Sequence, residues 1–228
     1  MTVDDVLQKL EQFGTPENVA GMARYGIITK KAYGVSSPDV KRIAREIGRD
    51  HDLAEKLWKT GVLEARGLAC LIDDHKQVTE AQMESWVRDL DNWATCDTVT
   101  GYLFDKTPYA YMKAFEWAER EEEFVRRAAF ALMAWLAVHD KKADHARFED
   151  FLPVIEKFAD DDRNFVKKAV NWALRQIGKR NLHLNHLAVK AALSLSERDS
   201  RAARWIGKDA LRELTSEKTL ERLRKRSK

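Results

Sequence analysis

The chain repeats itself, and that constrains its fold more than any other feature. Phe124-Val125-Arg126-Arg127-Ala128-Ala129 recurs as Phe165-Val166-Lys167-Lys168-Ala169-Val170, 41 residues further on. Each copy follows an acidic run, Glu121–Glu123 or Asp160–Asp162, and each continues into an apolar stretch with helical spacing. Weaker copies surround Glu64-Ala65-Arg66-Gly67-Leu68-Ala69 and Ala202-Ala203-Arg204-Trp205. A unit this short cannot bury its own apolar face, so neighbouring units must stack to make a continuous core.

The local signals agree with helices throughout. Val3, Val6, Leu7, Leu10 and Phe13 form one apolar stripe. Thr15-Pro16, Ser36-Ser37-Pro38-Asp39 and Thr107-Pro108 read as helix starts, because a hydroxyl caps and Pro fits the first turn. Thr79-Glu80-Ala81-Gln82 reads as a capping box. Gly14, Gly34, Gly61 and Gly178 fall near expected helix ends, and no segment alternates with period two. The 228 residues contain only 10 Gly and 4 Pro, which argues against an all-β or disordered chain. The expectation is an all-α fold, a HEAT-like α-solenoid of stacked helix pairs forming a concave basic surface. It is read as a single repeat domain over 1–228 with a basic tail from about 215.

Charge is distributed unevenly. The formal net charge is only +3, yet 144–162 carries −5, 163–190 carries +7 and 201–228 carries +6. Arg66, Arg127 and Lys168 read as repeat-equivalent positions lining one face, a pattern suited to a phosphate backbone. For any single Lys or Arg, ordinary solvated helix surface is the competing reading. The tail Arg222–Lys228 reads as a frayed end. The acidic N-terminal stretch lacks a signal-peptide pattern, no apolar run reaches membrane length, and Cys70 and Cys96 have no metal spacing. A monomeric cytoplasmic protein without metal or cofactor is expected.

Trp93 and Asp97 are four residues apart, and Trp172 and Arg175 three apart, so each pair shares a helix face. By residue type alone a helical Trp belongs to the core, and Asp97 caps or ion-pairs. No phosphate loop, HExxH or GxSxG occurs, and the His183/His186 pair lacks a third ligand.

These residues nevertheless resemble a known family. Met22-Ala23-Arg24-Tyr25, Tyr33-Gly34-Val35-Ser36-Ser37-Pro38, Trp93-x-x-x-Asp97, Arg126-Arg127-Ala128-Ala129 and Lys167-Lys168-Ala169-Val170-Asn171-Trp172-Ala173-Leu174-Arg175 occur in the order seen in the AlkD-like DNA alkylation repair enzymes, which are HEAT-repeat DNA glycosylases. The resemblance runs from about Met22 to Arg212. It implies hydrolytic removal of cationic N3- and N7-alkylated purines from double-stranded DNA. It assigns the catalytic carboxylate to Asp97 and the sugar-contacting indoles to Trp93 and Trp172. Phosphate binding falls to Arg127 and Arg175, and a DNA contact to Tyr25. Asn92 stands where active members carry a second Trp, and Ala94, Thr95 and Cys96 also differ. That departure keeps open a non-catalytic binder of damaged or branched DNA on the same fold.

Overall fold

A computed structural model of the chain describes residues 1–29 and 31–226. Among these residues there are fifteen α-helices and no strand. They are α1 (Val3–Phe13), α2 (Pro16–Arg24), α3 (Ser37–Ile47), α4 (His51–Lys59), α5 (Leu63–Ile72), α6 (Glu80–Arg88), α7 (Trp93–Tyr102), α8 (Ala110–Ala118), α9 (Glu123–His139), α10 (Ala146–Glu149), α11 (Phe151–Phe158), α12 (Asn164–Gly178), α13 (Leu182–Glu197), α14 (Arg201–Leu214) and α15 (Glu217–Arg226). The chain divides into two compact units, Met1–Tyr109 and Ala110–Lys228.

Polar side chains start many of these helices. Thr2, Thr15, Ser36, Asp50, Thr79, Asn92, Asn181 and Ser200 each accept a backbone N–H of the first turn. The expected box at Thr79 forms only in half. Its hydroxyl accepts from Gln82 N, but the buried Gln82 amide donates to Asp73 Oδ2 at 2.8 Å instead of turning back. Thr107 likewise caps no helix. Its hydroxyl donates to Phe104 O at 2.8 Å, closing a 3-10 turn over Phe104–Lys106, and α8 starts only at Ala110.

In the first unit α5 packs against α3, α4 and α7; in the second, α9, α12 and α14 pack in succession, with α8 and α13 on their partners. Large side chains fill both cores. Trp58 and Trp86 stack with centroids 4.1 Å apart, and Trp117, Phe130, Phe148 and Phe151 are fully buried. Gly34 closes the turn before α3 at φ +81°, and a Cβ there would meet Thr15 O at 2.2 Å, so only Gly fits.

The tail corrects the expectation of a frayed end. Glu217–Arg226 is helical, because Thr219 and Leu223, one turn apart, are both buried against the preceding helices. Ser227 and Lys228 lie outside the described residues.

Candidate nucleic-acid interface

Counting from each helix start corrects the expected repeat register. Arg66, Arg126, Lys167 and Arg204 are each the fourth residue of α5, α9, α12 and α14. Arg127 and Lys168 are fifth, so Arg66 is equivalent to Arg126 and Lys167, not to them. Fourth-position arginines turn back to the preceding helix. Arg66 Nε reaches Trp58 O at 3.4 Å, Arg126 Nε donates to Ala118 O at 2.9 Å, and Arg204 Nη1 donates to Arg198 O at 3.0 Å. Those carbonyls lie at the C-terminal ends of α4, α8 and α13, where helices leave carbonyls unpaired and favour cations. The three arginines therefore tie α5, α9 and α14 each to its predecessor, whereas Lys167 lies over the Trp205 ring of the following α14. Arg66 is further held by Asp89 O at 3.0 Å and by the Trp58 ring. Arg126 also donates to Asp161 Oδ2 at 2.8 Å, while its guanidinium lies over Phe158.

In the first unit, α7 presents Trp93 and Asp97 one turn apart, both partly exposed. Asn92 caps this helix. Its Oδ1 accepts from Thr95 N at 2.9 Å, its amide donates to Thr95 Oγ1 and Asp91 Oδ1, and only 2% of the residue is exposed. Asn92 is thus used here to start the helix. Trp93 Nε1 donates to Tyr25 O at 2.9 Å, which ties the candidate indole to another candidate contact of this unit. Tyr25 itself is 74% exposed. A cleft of about 310 Å³ borders α7 through Ala94, Thr98 and Tyr102. Buried Glu64 sits beside it and accepts the backbone N–H groups of Tyr33, Gly34 and Val35 at 3.0, 2.6 and 3.2 Å. No motif singled out Glu64, because its partners are 29–31 residues away.

In the second unit, the candidate residues are more enclosed than their charges suggested. Arg127 is 6% exposed and donates to Phe165 O at 2.7 Å, joining α9 to the first turn of α12. Arg175 donates to Glu213 Oε2 at 2.8 Å, and Lys179 takes the other oxygen at 2.7 Å. Burial works against ionisation of Glu213, but Lys179 and Arg175 outweigh it and hold its carboxyl below the usual range. Asn171 donates to Asp209 Oδ2 at 2.7 Å, so α14 presents an acidic pair to the basic face of α12. Trp172 is half-buried and packs edge-on against Trp135, with centroids 5.2 Å apart. Lys168 alone of the basic candidates projects openly. Among the described residues no cluster of three or more His, Cys, Asp or Glu is arranged to hold a metal, and no helix is long and apolar enough to cross a membrane.

The sequence profile described as DNA alkylation repair enzyme matches residues 6–214. The chain belongs to the DNA alkylation repair enzyme family. A solved structure described as "a new family of proteins related to the HEAT-like repeat DNA glycosylases with affinity for branched DNA structures" has the same fold. It superposes with a TM-score of 0.79 at 23% identity, covering 94% of this chain and 96% of its own. The fold is therefore HEAT-like. A designed armadillo repeat protein in complex with the peptide (KR)4 is similar at only TM-score 0.38 and 15% identity, over 83% of this chain and 85% of its own. No curated protein matches the chain significantly. On α7 the Trp93–Asp97 pair is partly exposed, while Asn92 turns inward as a cap.

Proposed function

We propose that the protein removes cationic N3- or N7-alkylated purines from double-stranded DNA by hydrolysing the N-glycosidic bond. The observation that carries this reading is the placement of Trp93 and Asp97 one turn apart on α7, partly exposed, with the Trp93 indole anchored at Tyr25 O. An alkylated purine already bears positive charge, so its departure needs little general-acid help. The remaining demand is to stabilise an oxocarbenium-like sugar and to orient water. A carboxylate at Asp97 meets both. An indole face at Trp93 attracts the polarised sugar. Trp172 serves as the second indole, and Arg127, Arg175, Lys168, Arg66 and Tyr25 are the DNA contacts of this reading.

A second reading has specific support. Arg66, Arg127 and Arg175 are engaged within the protein, Asn92 supplies no aromatic surface, and the structural neighbour at TM-score 0.79 is described by its affinity for branched DNA. In that reading the protein binds DNA structures without excising bases. Incubating methylated DNA with wild type and Asp97→Asn separates the two. Release of 7-methylguanine or 3-methyladenine by wild type alone supports the glycosylase. Absence of release from both, with retained binding of branched DNA, refutes it in favour of the binder.

A further inference from the structure

A second basic feature lies within the second unit, and none of the residues proposed above as DNA contacts lines it. The C-terminal ends of α9 and α12, the residues after them and α15 enclose a cleft of about 530 Å³ within the second unit. Lys141, Lys179, Arg180 and Arg222 supply its cations, of which Lys179 is already paired with Glu213; His145 adds an imidazole, and no carboxylate side chain lies on its walls. Asn181 adds a polar side chain at its edge. Arg180 is fixed in place: Nη1 and Nη2 donate to Ala137 O at 2.8 Å and Asp140 O at 2.9 Å, and the guanidinium lies over the Phe148 ring. Its Nε is buried without a partner. Burial lowers the Arg180 pKa, so an anion nearby would offset a cost the fold already carries. Lys141 and Arg222 are exposed and form no ion pair among the described residues. The cleft therefore combines a fixed guanidinium with two uncommitted cations, a disposition suited to a line of phosphates.

We propose that this cleft binds backbone phosphates of DNA, as a contact region separate from the motif residues. Arg222 gives the C-terminal helix a role in it. The inference rests on the reading that the protein binds DNA. The partner is a phosphodiester chain, and free inorganic phosphate is the alternative source of the same chemistry.

The test compares wild type, Lys141→Ala/Arg222→Ala and the control Arg224→Ala, whose side chain pairs with Glu217 and does not line the cleft. Binding of a duplex and of a four-way junction is measured across salt concentrations, with thermal melts confirming the fold. Each lost phosphate contact lowers the slope of log K against log salt by about 0.9 on duplex DNA, so the double variant should lose about 2 units. Arg224→Ala should keep the wild-type slope. An unchanged slope in the double variant overturns the proposal while leaving DNA binding intact. The proposal also fails if inorganic phosphate shifts the NMR signals of Lys141 and Asn181 in wild type but DNA does not. Failure of wild type to bind any DNA overturns the DNA reading itself, and this inference with it.

Discussion

If the fourth-position arginine is a structural tie, Asp161→Asn should cost stability and spare DNA binding. Asp161 receives Arg126 Nη1 at 2.8 Å and Arg163 Nε at 2.9 Å, and the side chains of Arg126 and Asp161 are only 14% and 8% exposed. Asn keeps the shape but removes the charge, leaving Arg126 nearly buried without a counter-ion. Breaking one side of a buried pair costs about 3–5 kcal/mol. Arg126 keeps its bond to Ala118 O and its place over Phe158, which favours the lower end, about 3 kcal/mol. The Arg163 partner is one-third exposed, so its share is screened and adds roughly 0–1 kcal/mol. In a chain of this size about 3 kcal/mol lowers the melting temperature by about 6–12 °C. By contrast the exposed Lys157–Glu119 pair, at 59% and 57% exposure, should contribute under about 1 kcal/mol. Urea and thermal unfolding at pH 7 measure both, and a double-mutant cycle with Arg126→Met isolates the coupling. A change below about 0.5 kcal/mol for Asp161→Asn would refute the weight given to the Arg126–Asp161 pair, and an Arg126→Met variant that melts like wild type but loses DNA affinity would refute the tie.

Two further outcomes concern the pH dependence of stability and the cap of α7. Burial opposes ionisation of Asp161, but Arg163 and Arg126 hold its carboxyl below the ordinary 3.8; Lys179 and Arg175 do the same to Glu213 below 4.5. Depressed folded-state values favour the ionised form, so this stabilisation is complete above about pH 4.5 and is lost as pH falls through the lower folded values. Urea midpoints measured from pH 7 to pH 3 should therefore drop below pH 4.5, and less steeply for Asp161→Asn combined with Glu213→Gln. Asn92→Ala should cost about 1–2 kcal/mol by removing a buried cap. Asn92→Trp should be at least as harmful in the same unfolding assay, and a neutral Trp variant would show that the position is free for an aromatic after all.

Much of the architecture is written locally. Helix starts at Thr15, Ser36 and Thr79 and the copies around Phe124 and Phe165 follow from side-chain chemistry within a few residues, so the all-helical repeat was legible without coordinates. The Trp93–Asp97 spacing was legible for the same reason, since one helical turn converts four residues into one face. Tertiary structure alone decided which charges are spent. Arg127 meets Phe165 O from 38 residues away, Arg175 meets Glu213 across another 38, and Arg126 meets Asp161 across 35. A pattern of Lys and Arg reports their number and phase, but a carbonyl or carboxylate brought in by the next helix determines whether the charge stays available to DNA. The same holds for Asn92, whose identity read as a missing aromatic until the helix end it caps was in place. It holds too for the tail, where Leu223 is buried only because earlier helices provide a surface to receive it.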